Sequence, residues 1–132
     1  MIVVDASVLA SMLAYADERG RTARAALARD TEWAAPEHWK AEVFSVLRGL
    51  VLGHKIAEDE ALRAVERLPR LAVDHVSLDL LLARMWEMRA DVGAYDAPYV
   101  ALAQARGLTL VTSDGRLARA ATGYCRVELV GG

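Results

Sequence analysis

The sequence predicts an α/β fold, a mostly parallel central sheet with helices on both faces. Apolar runs of three to six residues alternate along the whole chain with longer segments of helical periodicity, and that alternation is the signature of strand–helix–strand crossovers. The three prolines, Pro36, Pro69 and Pro98, stand at the joints between these segments. Two acids, Asp5 and Asp114, directly follow apolar runs, which places them at carboxyl ends of strands, where sheets of this kind open their functional crevice.

Each element has its own warrant. Ile2–Val4 is a short apolar run ending in Asp5, as a buried strand does, and Ala6–Tyr15 carries Val8, Leu9, Met12 and Leu13 at helical spacing. Thr22–Ala28 continues helically after Gly20, and Trp33–Ala35 is a brief second strand closed by Pro36. Glu37–Leu52 is the strongest helical segment, with Trp39, Val43, Val46, Leu47 and Leu50 in one stripe and Gly53 at its end. Glu58–Leu68 is an amphipathic helix led in by acids and closed by Pro69. Leu71–Val76 reads as the third strand, and Leu78–Arg89 as a long helix bearing Leu81, Leu82, Met85 and Trp86. After Gly93 a new helix runs over Tyr95–Arg106, followed by the strand Leu108–Val111, a short helix Arg116–Ala121 and a last strand Val127–Val130.

Composition narrows the classes. The 132 residues suit one domain, expected to span 1–132. With 55% hydrophobic and 26% charged residues the chain is too apolar for disorder and too charged for a membrane protein. The longest uncharged stretch, Ala6–Ala16, is too short for a membrane helix. Asp5 interrupts the place of a signal peptide, and the single Cys125 forms no internal disulfide, so a reducing cytoplasm is expected. Net charge is −2, yet fourteen of the sixteen bases are arginine, which suits either a phosphate-bearing partner or a coding bias.

The acids carry the functional signal. Taken singly, Asp5, Asp96 and Asp114 each match a helix N-cap, Asp96 the more so for Pro98 two residues on. Glu42 does not fit that explanation. It lies at the margin of an apolar helix stripe, and positions three and four residues away hold Trp39, Ser45, His38 and Val46, so no Arg or Lys neutralises it there. Gathered in one crevice, the four carboxylates repel one another, and the usual remedy is a hard divalent cation such as Mg²⁺ or Mn²⁺. His38, His54, His75 and Cys125 show no zinc-ligand spacing. An acidic Mg²⁺ pocket suits phosphodiester hydrolysis, in which the metal activates water and offsets charge on phosphate. Ser7 and Thr112 stand close enough in sequence to Asp5 and Asp114 to support such a site, or to serve as ordinary element ends.

These residues, in this order, resemble the PIN-domain family, and specifically toxin ribonucleases of the VapC type. The resemblance rests on Ile2–Ser7 with Asp5, on Pro36–Val43 with Glu42, on Tyr95–Ala103 with Asp96, and on Leu110–Leu117 with Asp114. It implies a PIN-like three-layer sandwich. It further implies a metal-dependent endoribonuclease whose Asp5, Glu42, Asp96 and Asp114 bind Mg²⁺ or Mn²⁺. Asp5 and Asp96 would be the principal ligands, and Glu42 or Asp114 would orient or deprotonate the attacking water. The implied partners are an RNA substrate, a cognate VapB-type antitoxin and a second copy in a homodimer. Arg116 and Arg119 follow Asp114 on one short helix, as RNA contacts or as solvated surface. Trp39, Leu50 and Leu52 read either as core or as interface.

Other classes compete. A phospho-acceptor signalling domain needs an adjacent acid pair after the first strand and a lysine after a late one, and neither Lys40 nor Lys55 is so placed. A non-catalytic RNA-binding or dimerisation module on the same fold would have lost one of the four acids. A DNA-acting metal-dependent nuclease shares the pocket chemistry, and the absence of a DNA-threading insertion favours RNA.

Overall fold

The computed structural model describes residues 1–131. Strands β1 (Ile2–Val4), β2 (Trp33–Pro36), β3 (Val73–Val76), β4 (Leu110–Thr112) and β5 (Val127–Leu129) form one sheet in the order β3-β2-β1-β4-β5, every pair parallel. The helices among the described residues are α1 (Ala6–Ala14), α2 (Glu18–Ala28), α3 (Trp39–Leu52), α4 (Glu58–Arg67), α5 (Leu82–Glu87), α6 (Ala97–Arg106) and α7 (Gly115–Ala121). Chain direction sets the layers. From β1 the strands step outward through β2 to β3, and right-handed crossovers put α1 to α4 on one face, where α1 packs on α2, α3 and α4. The chain then returns across the sheet to β4 and steps to β5, so α5, α6 and α7 cover the other face, with α6 lying on β1 and β2. The strand order therefore reverses between β1 and β4, where a crevice must open.

The sheet is short and apolar because it is covered on both sides. Val3, Val4, Ala34, Ala35, Leu110 and Val111 are all buried. Helix α6 is buried along most of its length, from Ala97 through Ala103, and closes on Gly107, whose φ of 65° is the left-handed cap that glycine accepts without strain. At the end of α3 the left-handed residue is His54 (φ 57°), one place beyond the Gly53 that sequence marks as the terminator.

Two expectations are corrected. The helix expected over Leu78–Arg89 is a 3₁₀ turn, Leu78–Leu80, followed by the short α5. Ser77 accepts the Asp79 N–H on its hydroxyl and Leu81 N bonds Leu78 O at 2.9 Å, so the first turn closes too tightly to continue as α-helix. In consequence Leu81 is buried, whereas Leu82 and Trp86 are 53% and 67% exposed. Helix α2 begins at Glu18 and not at Thr22, because Asp17 caps it through Arg19 N at 3.0 Å, and Gly20 lies inside it. A Cβ on Gly20 would stand 1.8 Å from Tyr15 O, so the glycine is there for close approach of α2 to the end of α1. Trp39 is core, its indole N–H donating to His75 Nδ1 at 3.1 Å, while Leu50 is partly buried and Leu52 exposed.

Candidate active site

The register Val3 to Leu110 and Val4 to Val111 sets Asp5 beside Thr112 at the point where the strand order reverses. Asp5 is nearly fully buried, and its Oδ2 collects three hydrogen bonds: from Ser7 N at 3.3 Å, Ser7 Oγ at 2.5 Å and Thr112 Oγ1 at 2.8 Å. The same two hydroxyls bind the neighbouring loop, since Ser113 N donates to Ser7 Oγ at 3.0 Å and Asp114 N to Thr112 Oγ1 at 3.0 Å. Ser7 and Thr112 thus lock Asp5 and the loop after β4 into one unit. Burial pushes the Asp5 carboxyl up, against the pull of these hydrogen bonds.

Asp114 caps α7, its Oδ1 accepting from Arg116 N at 2.9 Å and Leu117 N at 3.3 Å. Asp5 also serves as the cap of α1. Asp96 does not cap. It stands at the start of α6 with helical backbone and makes no side-chain capping bond, so its carboxylate is spent on something else. Its carboxyl is pushed up to about 6, first by burial and then by the charges of Asp5, Asp114 and Glu42, with Arg116 acting the other way. All four acids therefore share one electrostatic neighbourhood, contributed by β1, α3, the start of α6 and the loop after β4. Arg116 borders it, while the Arg119 guanidinium lies over Gly115.

Glu42 sits in the first turn of α3, partly buried, its carboxyl raised mainly by burial and also by the Asp5 charge. Its side-chain partner is the histidine four residues earlier. His38 Nε2 lies 3.1 Å from Glu42 Oε1 and 3.3 Å from the Tyr95 carbonyl oxygen. Tyr99, one turn into α6, is fully buried and tilts its ring against His38 at a centroid distance of 5.4 Å. Its hydroxyl closes no hydrogen bond of good geometry but stands within reach of the Glu42 carboxylate, and burial first, then the charges of Glu42, Asp5 and Asp96, hold it protonated. His38 and Tyr99 are the residues the sequence does not single out. The one available signal is a histidine one helical turn before an otherwise unneutralised glutamate.

The donor set is all hard oxygen, as Mg²⁺ and Mn²⁺ require, and the mutual repulsion at Asp96 is the charge excess a divalent cation relieves. Among the described residues no three His, Cys, Asp or Glu side chains close into a ready-made cage.

Comparison with known proteins gives a consistent picture. The family model described as PIN domain matches residues 2–123. Ribonuclease VapC3 of Mycobacterium tuberculosis is 40% identical over 119 residues, covering 90% of this chain and 86% of that protein. VapC ribonuclease Mb0985 of Mycobacterium bovis is 37% identical across 98% of both chains. Among solved structures, Mycobacterium tuberculosis VapC20, titled a Sarcin-Ricin loop cleaving toxin, superposes with TM-score 0.67 at 24% identity, covering 97% of this chain and 99% of that one. FitAB bound to an IR36 DNA fragment superposes with TM-score 0.68 at 16% identity, covering 98% and 94%.

Proposed function

The chain belongs to the PIN domain family, and from that premise we propose that it is a divalent-metal-dependent endoribonuclease, the toxin of a type II toxin–antitoxin pair. The observation that carries the reading is the carboxyl of Asp96, raised first by burial and then by the charges of Asp5, Asp114 and Glu42, at the crevice where the strand order reverses. The relatives named as VapC ribonucleases, aligned over most of their length, support RNA as the substrate.

Asp5 and Asp96 would hold Mg²⁺ or Mn²⁺, with Glu42 and Asp114 completing the pocket directly or through water. When bound, the cation supplies an acidified water as nucleophile and positive charge against the scissile phosphate. The chain supplies the rest. Ser7 and Thr112 fix the rotamer of Asp5 through Oδ2. Glu42, held at Oε1 by His38, orients the attacking water and takes its proton. Arg116, beside Asp96 at the mouth of the pocket, faces the phosphate charge.

Uncovered apolar surface supports the partners proposed. Phe44 and Leu52 of α3 and Leu62 of α4 are more than half exposed and line a cleft of about 310 Å³ with Leu47, Val51 and Val65. We assign that cleft to the antitoxin. Exposed Leu80, Leu82 and Trp86 lie elsewhere, and we assign them to a homodimer. No helix of the described residues is long and apolar enough to cross a membrane, and the proposed setting is the cytoplasm.

The deciding experiment incubates purified protein with total cellular RNA in Mg²⁺, Mn²⁺ or EDTA, with Asp96→Asn alongside. Discrete fragments that vanish with EDTA and with the substitution are expected. Intact RNA with a folded, metal-binding wild type would overturn the assignment, as would cleavage of DNA alone.

A further inference from the structure

Two side chains flank the Glu42 carboxylate, and neither performs the structural task of its position. His38 occupies the N-cap of α3, where Ser, Asp or Asn would accept a backbone N–H, and it makes no capping bond. Its Nε2 is turned to Glu42 Oε1 and to the Tyr95 carbonyl, directly before Asp96. Both partners are acceptors, so Nε2 carries a proton, and Nδ1 is left buried without a partner. Tyr99 is 0% exposed, and its hydroxyl faces the Glu42 carboxylate without closing a well-formed hydrogen bond. A buried hydroxyl without a good partner is unfavourable, and phenylalanine would fill the same space without it. A hydroxyl retained at that cost beside Glu42 needs a task outside folding.

We infer that His38 and Tyr99 are positioning residues for Glu42. The imidazole holds one carboxylate oxygen and ties it to the backbone that presents Asp96. The Tyr99 hydroxyl donates to the carboxylate once the pocket is loaded, fixing it from a second side. Glu42 is then left one rotamer, with a free lone pair turned to the pocket. This deepens the nuclease reading and rests on it for the identity of the site.

The test uses the full chain with Tyr99→Phe, His38→Leu, His38→Gln and Glu42→Gln. Three quantities are read: kcat and KM on a cleaved RNA in Mg²⁺, Mn²⁺ affinity by calorimetry without RNA, and urea unfolding in EDTA. Tyr99→Phe is expected to lower kcat and weaken Mn²⁺ binding by about ten-fold each, as loss of a group orienting a ligand does, with KM little changed. Its metal-free stability should equal or exceed that of the wild type, an outcome that a structural role for the hydroxyl forbids. His38→Leu should match that loss, and His38→Gln, whose amide nitrogen can stand where Nε2 does, should restore most of it. Wild-type kcat and Mn²⁺ affinity in Tyr99→Phe or His38→Leu would overturn the inference, as would a fall in activity that merely tracks a fall in stability. A wild type that binds Mn²⁺ but cuts no RNA overturns the nuclease reading instead. The positioning claim is then judged by calorimetry: it stands if these variants weaken Mn²⁺ binding as Glu42→Gln does, and falls otherwise.

Discussion

Asp96 is the acid that burial and its neighbours disturb most visibly, and its proton reports on the whole pocket. An ordinary aspartate releases its proton near 3.8, whereas this one holds it to about 6. Between those values the folded chain binds a proton that the unfolded chain has lost, so stability falls as pH rises through that window and levels off above it. Asp5 and Glu42 are shifted in the same direction and share the effect. Melting in EDTA at about pH 4 and about pH 7 should show the decline, and Asp96→Asn should flatten it and melt above the wild type at the higher pH. A steeper decline in the Asn variant would contradict the electrostatic account. Thr112 makes the complementary case, since its buried hydroxyl serves both Asp5 Oδ2 and Asp114 N. Thr112→Val keeps the shape, leaves Asp114 N without its acceptor and removes one of three hydrogen bonds at Asp5 Oδ2, and urea titration should read a loss of about 1–3 kcal/mol. The acids themselves were legible in sequence because each follows a strand or opens a helix, or in the case of Glu42 lacks a neutralising base. His38 and Tyr99 were not, because a missing cap bond and a missing hydroxyl partner are facts of packing with no sequence pattern.

At the level of elements, apolar runs located all five strands to within two residues at either end, since a strand covered on both faces needs continuous apolar sequence. The failures came where local side chains outvote periodicity. Leu82 and Trp86 share a helical stripe with Leu81, yet the Ser77 turn rotates the segment and leaves them outside. Gly20 invited a helix break, while its real function is proximity, α2 lying against the Tyr15 carbonyl. Gly20→Ala cannot be absorbed by moving the nearby Arg24 side chain, because the two nearest obstructing atoms are backbone atoms of Tyr15. It should cost about 1–3 kcal/mol, the range for overpacking, in chemical unfolding. An unchanged midpoint would mean that α1 and α2 separate freely.

For the whole molecule, the acid pocket draws on distant parts of the chain, so a cation bound there should brace the entire fold. Mg²⁺ at about a hundred times its dissociation constant should add about 2.7 kcal/mol, seen as a melting temperature that EDTA brings back down. No shift would mean that the pocket does not bind the ion in the folded state. The sheet order carries a further consequence, for the timing of synthesis. β1 is made before every other strand, yet it sits in the middle of the sheet and pairs with β4, where Val3 meets Leu110. A nascent chain that has reached Arg106 can assemble β1, β2 and β3 with their helices, but one edge of β1 stays open and neither Thr112 nor Asp114 yet exists. Contacts this distant in sequence are the slow ones to form. The acidic pocket is therefore completed only when a late strand pairs beside an early one, and a chain stopped before β4 lacks two of the pocket's side chains.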